Sequence, residues 1–239
     1  MSNNDRQNRQ VIRHSWQPDY QQAVRIQENL RQMLVLADQF PQPLTMVAGA
    51  DLSYDRRHNL LFAAIMVFSW PELTVLEVGE EIRPATFPYI PGLLTFREGP
   101  AMVAILNRLR HWPELLVCDG QGVAHPRGLG LAAHMGVIFD LPTIGCAKSR
   151  LTGNFVMPGV EKGKQSLLLN KNQEQIGVVL RTRKKVKPVF VSPGHRVGFE
   201  RAASLILQFT DRYRLPEVTR RAHLQINQMR LRWLQAHQQ

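Results

Sequence analysis

Three acidic residues occupy positions in which a carboxylate could do chemistry. Asp51 interrupts the otherwise apolar segment VAGADLSY, although strands disfavour aspartate. Glu98 lies in FREGP, in the first turn of a predicted helix, and Asp119 follows the apolar segment ELLVC. Considered alone, Glu98 and Asp119 each have a structural alternative, because glutamate favours the positive end of a helix dipole and aspartate before glycine is a common turn residue. Asp51 in the middle of a strand is harder to explain in this way.

The three carboxylates form a metal site if the strand that carries Asp51 lies beside the strand that ends at Asp119. Glu98, on the intervening helix, then lies over both of them. Carboxylates that are packed together without a partner are destabilising or stay protonated. Mg²⁺ removes this repulsion because it takes oxygen ligands, and it keeps bound waters for chemistry. The sequence therefore predicts a Mg²⁺ site that can polarise a phosphoryl oxygen and generate a hydroxide nucleophile.

The elements that must position these residues predict an α/β protein with one mixed β-sheet and helices on both faces. Three strand candidates joined by short links, at 44–54, 59–70 and 73–82, predict an antiparallel meander. Apolar spacing predicts a first helix over 16–40, which Pro41 and Pro43 end. The remaining elements are helices at 97–110, 127–140, 199–213 and after Pro216, and strands at 114–119, 142–149, 176–183 and 188–194. This order of strands and helices is typical of a sheet that is covered on both sides.

Composition is that of an ordinary globular protein, with 44% hydrophobic and 21% charged residues. We expect a flexible N-terminal tail over 1–15, a single catalytic domain over 16–230 and a basic C-terminal tail over 231–239. The chain has neither an apolar run long enough for a membrane span nor the apolar core of a signal peptide at its start, so we expect a cytoplasmic protein. Cys118 and Cys146 lie in apolar, strand-like segments, which indicates buried reduced thiols.

A net charge of +11 and a pI near 10.3 favour a polyanionic partner. The charge is concentrated in RTRKKVK at 181–187 and in RLRWLQAH near the end. A solvated basic face explains either run alone, but the total favours nucleic acid.

The sequence resembles two known groups of proteins, one nested in the other. Aspartate on the first strand, glutamate on the helix after the meander and aspartate on the fourth strand resemble the ribonuclease H-like fold, whose members cut phosphodiesters with Mg²⁺. Longer strings are similar to the Endonuclease V, or deoxyinosine 3′ endonuclease, family. These strings run in family order over about residues 44 to 225: VAGADLSY, PYIPGLLTFREGP, VCDGQGVAHPRGLGLAAHMG, PTIGCAKSRLTG, GHRVGFERA and YRLPEVTRRAH.

The resemblance implies a monomeric DNA-repair nuclease that recognises deoxyinosine and other deaminated bases in single- or double-stranded DNA. Such an enzyme hydrolyses the second phosphodiester bond 3′ to the lesion and leaves 3′-hydroxyl and 5′-phosphate ends. It uses Mg²⁺, for which Mn²⁺ can substitute. By the same match Asp51, Glu98 and Asp119 hold the metal, Lys148 contacts the scissile phosphate, and His223 positions the attacking water.

The resemblance also assigns the residues that recognise the base. Tyr89, in the stiff segment Pro88, Tyr89, Ile90 and Pro91, is the wedge that separates the strands, with Leu93 as a wall of the base pocket. The alternative for this segment is a turn packed on the core. The backbone amides of Gly120 and Gly122 read hypoxanthine, and His125 lies near the active site. Arg97 contacts either the DNA or the carboxylates, His134 is mainly structural, and His195 with Arg196 holds a corner of the fold.

Three other functions compete with this one. The same active site can cut inosine in RNA, because a contact to a 2′-hydroxyl cannot be recognised in a sequence. A nucleic-acid-binding module without catalysis is disfavoured because the three carboxylates and Lys148 are all present. A dinucleotide-binding enzyme is weaker still, because DGQGVAHPRG lacks the required glycine spacing and puts an aspartate where phosphate would be repelled.

Overall fold

The computed structural model describes residues 9–237, which form one eight-stranded sheet and five helices. The strands are β1 (Met46–Asp55), β2 (Leu60–Ser69), β3 (Val75–Pro84), β4 (Leu115–Cys118), β5 (Thr143–Ala147), β6 (Gln165–Leu169), β7 (Gln175–Leu180) and β8 (Val189–His195). The helices are α1 (Tyr20–Arg31), α2 (Leu94–Arg108), α3 (Leu131–Phe139), α4 (Phe199–Gln208) and α5 (Glu217–Ala236).

The sheet has the strand order β3-β2-β1-β4-β5-β8-β7-β6. β1, β4 and β5 are parallel to one another, whereas the other neighbouring pairs are antiparallel. This confirms the predicted mixed sheet and its ribonuclease H-like arrangement. Because β1, β4 and β5 run in the same direction, their carboxyl ends meet at one end of the sheet, close to the predicted carboxylates Asp51 and Asp119.

Helices cover both faces, as the sequence predicts. One core layer packs residues of α1, α2 and α3 against the sheet, and the other packs residues of α4 and α5 against its opposite face. All four residues of β4 are buried, which explains why ELLVC is continuously apolar.

The first helix is shorter than predicted and spans only Tyr20–Arg31. The Asp19 carboxylate caps it by accepting a hydrogen bond from the Gln22 amide at 2.8 Å. Beyond its end, the carbonyl of Val35 and the amide of Gln39 both bond to the backbone of Arg196. This tertiary pairing overrides the helical spacing of the apolar residues that follow Arg31.

The structure describes residues 9–15 of the predicted N-terminal tail, and these residues contact the rest of the fold. Residues 1–8 lie outside the described part, but the amides of Val11 and Ile12 donate to the Ile138 carbonyl at the end of α3. Trp16 stacks on His134, at 5.5 Å between ring centroids. Residues 9–15 are therefore held on the fold.

The C-terminal segment also differs, because α5 continues through most of the predicted basic tail to Ala236. Arg230 donates to Ser53, and Arg232 pairs with Glu80 at 2.6 Å. These arginines bind protein groups and add little to a free basic surface.

Three smaller differences concern element bounds. α2 begins at Leu94, so Glu98 lies in its second turn, and α3 begins at Leu131, after Gly130. β6, on the outer edge of the sheet, was not predicted, although three of its five residues are leucines and only Leu168 is buried.

Two further properties follow from the structure. None of the helices within residues 9–237 combines the length and the apolar character that a membrane crossing requires. Cys118 and Cys146 are buried free thiols, and burial raises the pKa of both.

Candidate active site

The two aspartates are brought level by the pairing of β1 with β4. Ala50 pairs with Cys118, so Asp51 and Asp119 each follow a paired residue on neighbouring parallel strands. The Asp119 amide donates to the Ala50 carbonyl at 2.9 Å, which fixes the chain where it leaves β4. Glu98 enters from α2 and lines the same cavity as Asp119. The structure thus brings together the three predicted carboxylates.

The electrostatics show that these carboxylates repel one another. Burial, together with the charges of Asp51 and Asp119, raises the pKa of Glu98 to about 8, although the Arg97 charge works in the opposite direction. Burial and the Asp119 charge raise the pKa of Asp51 to about 6, even though the hydrogen bond from His223 favours its ionised form. Two carboxylates with raised pKa values at one sheet edge indicate a site suited to a cation.

Two basic side chains contact the aspartates. The ammonium group of Lys148, just after β5, hydrogen-bonds to Oδ2 of Asp119. Burial works against the charge on Lys148, but the bond to Asp119 and the nearby carboxylates raise the pKa of this lysine overall. On α5, Nδ1 of His223 lies 2.8 Å from Oδ2 of Asp51. Lys148 and His223 thus each contact one of the two aspartates.

A cavity of about 380 Å³ opens beside the carboxylates, a size typical of small-ligand sites. Tyr89, Ile90 and Pro91 line one side of it. Gly120 and Lys148 line other parts of its wall, so the cavity joins the predicted wedge to the predicted catalytic groups.

The segment that contains the predicted wedge is exposed at its tip and fixed at its base. Tyr89 is 69% exposed, which contradicts the alternative of a turn packed on the core. The Gly92 carbonyl accepts hydrogen bonds from Arg127 (2.5 Å) and Gln27 (3.0 Å), and Arg127 also donates to the Gln27 side chain at 2.5 Å. This Arg127–Gln27 clamp links the wedge segment to α1 and to the loop that follows Asp119.

Two of the residues predicted to bind the base are placed elsewhere. Leu93 is fully buried with Phe87 and Phe96, and its neighbour Leu94 lines the cavity instead. The Gly122 amide donates to the Ser192 hydroxyl at 2.8 Å, so it is not available to a base. A Cβ at Gly122 would lie 2.0 Å from a backbone oxygen of β8, and glycine is needed there for close packing.

Arg97 does not line the cavity. Its guanidinium group lies 3.8 Å from the centre of the Tyr54 ring, and the residue is only 9% exposed. It acts on the carboxylates through its charge, which favours the ionised form of Glu98.

The histidines fall into two groups. His125 lines the cavity, and burial together with the neighbouring Arg127 charge lowers the pKa of His125 to about 4, so it is neutral at pH 7. His134 is fully buried, with its Nε2 atom 2.7 Å from Nε2 of His14, as expected for a structural residue. Nε2 of His195 lies 3.1 Å from Asp140, which also binds Arg196 and so joins the two residues at one corner.

Sequence reasoning missed several residues that line the cavity. Gln121 is the most notable: its side chain donates to the Ser149 carbonyl at 3.0 Å, and its Oε1 atom is buried without a hydrogen-bond partner among the described residues. Its position between two glycines next to Asp119 was the available signal. The other missed lining residues are Gly92, Leu94, Thr95, Gly130, Leu131, Ala147, Ser149, Arg150 and Leu151.

The donor set fits Mg²⁺ in its chemistry, because three carboxylates supply oxygen ligands and two of them carry raised pKa values. The side chains are not yet arranged around an ion. Within residues 9–237 no three His, Cys, Asp or Glu side chains are spaced to hold a metal as they stand. Lys148 and His223 already bond to the two aspartates, so an ion would replace at least one of these contacts.

Comparison with known proteins gives one consistent result. Residues 28–224 match the family model of Endonuclease V. Endonuclease V of Nostoc punctiforme is 44% identical over 207 residues, which cover 87% of this chain and 93% of the relative. The crystal structure of Endonuclease V from Streptomyces avermitilis is 41% identical, with a TM-score of 0.86 over 92% of this chain and 97% of that one. Endonuclease V of Ciona intestinalis, in complex with a 24mer DNA containing an inosine followed by a ribo-adenosine, is 26% identical, with a TM-score of 0.76 over 87% and 96%.

Proposed function

This chain belongs to the Endonuclease V family of metal-dependent nucleases, and from that premise we propose that it repairs DNA that contains deaminated bases. It recognises deoxyinosine above all and hydrolyses the second phosphodiester bond on the 3′ side, which leaves 3′-hydroxyl and 5′-phosphate ends. The observation that carries the proposal is that one cavity is lined by the exposed Tyr89 and by both Asp119 and Lys148. The inosine-containing DNA bound by the Ciona relative supports it.

Recognition begins with Tyr89, which enters the gap that a base leaves when it rotates out of the stack. The base then occupies the cavity, where the backbone at Gly120 can approach it closely. Hypoxanthine accepts hydrogen bonds at O6 and N7, whereas the amino group of adenine donates. A base that leaves a buried polar group unpaired costs about 1–3 kcal/mol, and this cost discriminates against adenine.

Asp51, Glu98 and Asp119 hold Mg²⁺, for which Mn²⁺ can substitute. When bound, the ion would polarise the phosphate and make a coordinated water more acidic and so a better nucleophile. Lys148 neutralises charge on the scissile phosphate as the transition state forms. Because Nδ1 of His223 is bonded to Asp51, its Nε2 atom is the one that orients the attacking water.

The test uses labelled DNA and RNA oligonucleotides, each with and without one inosine, with Mg²⁺ present or chelated. We expect Mg²⁺-dependent cleavage of the inosine DNA at the second 3′ bond, and none with Asp51→Asn. Cleavage of the inosine RNA alone would replace this function with RNA processing. Binding without cleavage of any substrate would refute catalysis.

A further inference from the structure

The basic run at 181–187 divides into one anchor and an exposed surface. Arg181 is only 7% exposed, and Thr182 is fully buried. In contrast, Arg183, Lys184 and Lys185 are exposed, as is Lys187. The run is therefore neither a uniform solvated face nor a disordered tail.

Arg181 joins this run to a second loop. Its guanidinium group donates to the carbonyls of Gly159 (3.1 Å) and Pro158 (2.9 Å), and also to the Val186 carbonyl. The Lys185 amide donates to the Val160 carbonyl at 2.8 Å. Residues 156–164 and 183–187 thus form one unit, which we name the basic platform.

The basic platform lies at the same end of the sheet as the carboxylates of the candidate active site. β8 runs antiparallel to β5, with Phe190 paired to Ala147, so the residues that precede β8 lie beside those that follow β5. Arg214 bridges the two segments directly. It donates to the Lys148 carbonyl (2.7 Å), the Pro188 carbonyl (2.8 Å) and the Lys187 carbonyl (2.8 Å). The platform is consequently fixed to the backbone of Lys148.

The surface of the platform combines positive charge with exposed apolar groups. The side chains of Lys164, Arg183, Lys185 and Lys187 make no ion pair within residues 9–237. The one acidic residue of the platform, Glu161, pairs with Lys184 at 3.0 Å. Three apolar side chains are exposed beside these cations: Val156 (79%), Met157 (60%) and Val160 (52%). Cations next to apolar groups match a nucleic-acid strand, which presents phosphates beside sugars and bases.

We propose that the basic platform binds the DNA strand on the 3′ side of the scissile phosphate. The inference rests on the proposed function, in which Lys148 contacts that phosphate and the base lies in the cavity on the Tyr89 side. A strand that passes from the cavity across Lys148 then continues over the residues that Arg214 holds against it. The platform supplies backbone contacts that do not depend on sequence, and it adds affinity away from the lesion.

The test compares Arg183→Gln/Lys185→Gln with the matched variant Arg13→Gln/Arg110→Gln. The control also removes two exposed cations, but these lie near the end of α3 and before β4, at the opposite end of the sheet from the carboxylates. Binding is measured in chelator, over a range of salt concentrations, with three inosine DNAs: one with long arms, one with the 3′ arm cut back and one with the 5′ arm cut back. Single-turnover cleavage of saturated complexes is measured alongside, with Mg²⁺.

We expect the platform variant to bind long-armed DNA about tenfold more weakly at moderate salt, with the slope of log affinity against log salt reduced by about two. The loss should persist when the 5′ arm is cut back and disappear when the 3′ arm is cut back, while cleavage of saturated complex stays at the wild-type rate. Equal losses on all three DNAs, loss on the 5′ arm alone, no loss, or the same loss in the control would each overturn the proposal. Failure of the proposed function is distinguishable, because the unmodified enzyme would then show no inosine-dependent cleavage.

Discussion

Replacing Glu98 by glutamine should make the metal-free protein more stable at alkaline pH, although it removes a predicted metal ligand. The pKa of Glu98 is raised from its ordinary value of 4.5 to about 8 by burial and by the charges of Asp51 and Asp119. Between these pH values the folded protein holds a proton that the unfolded chain has lost. Folding is therefore penalised increasingly as the pH rises through this window, and the penalty is absent below it.

The magnitude follows from the same values. At about 1.4 kcal/mol for each pKa unit, the difference between 4.5 and about 8 corresponds to at most about 5 kcal/mol. Because Glu98 lines an open cavity, water screens part of this interaction, and we expect about 1–3 kcal/mol. Urea unfolding in chelator should show Glu98→Gln more stable than the wild type by this amount at about pH 9, and by little at about pH 4.

Glu28→Gln, at an exposed position on α1, is the control that removes a carboxylate without relieving this repulsion. Added Mg²⁺ should reverse the order, because an ion that binds only the folded wild type stabilises it. An equal gain at both pH values, or no gain at about pH 9, would refute the reasoning that burial and the neighbouring carboxylates raise the pKa of Glu98.

Three more predictions concern individual side chains. Asp119→Asn should lower single-turnover cleavage at least about a thousandfold while leaving the unfolding transition in place, and retained cleavage would exclude Asp119 from the metal site. Tyr89→Ala should raise the dissociation constant for inosine DNA while cleavage within saturated complex persists, and the reverse result would remove its role as a wedge. Arg127→Gln, which breaks the clamp on Gly92, should reduce the preference for inosine over adenine by about tenfold through KM, with Arg127→Lys retaining part of it. An unchanged preference in Arg127→Gln would leave the clamp without a role in recognition.

The sequence was sufficient to predict the mixed sheet and the meeting of the carboxylates. Asp51 interrupts one apolar strand and Asp119 ends another, so the prediction needed only the condition that these two strands are adjacent. Details that depend on one residue of register were not predictable. Leu93 lies just before α2, packed against Phe96, whereas Leu94 is the first residue of the helix. This one-residue difference depends on tertiary packing, which the sequence does not show.

Contacts between distant segments were also beyond the sequence. The packing of Gly122 against β8 depends on a strand seventy positions further along, so the glycine was wrongly assigned to the base pocket. Within RTRKKVK nothing distinguishes Arg181 from its neighbours until the loop at 156–164 supplies its carbonyl partners.

The pairing of distant strands has a consequence for how the site is assembled during folding. β1, β2 and β3 form a local meander, whereas β4 reaches β1 only after the intervening α2 has closed a long loop, as the pairing of Val47 with Leu115 requires. Loop closure of this kind is slow relative to hairpin formation. Asp51 is thus in place within an early unit, and Asp119 arrives with the central strands. We therefore expect the mutual repulsion of the carboxylates to act at a late step of folding, and a cation that binds them to speed the formation of the native sheet.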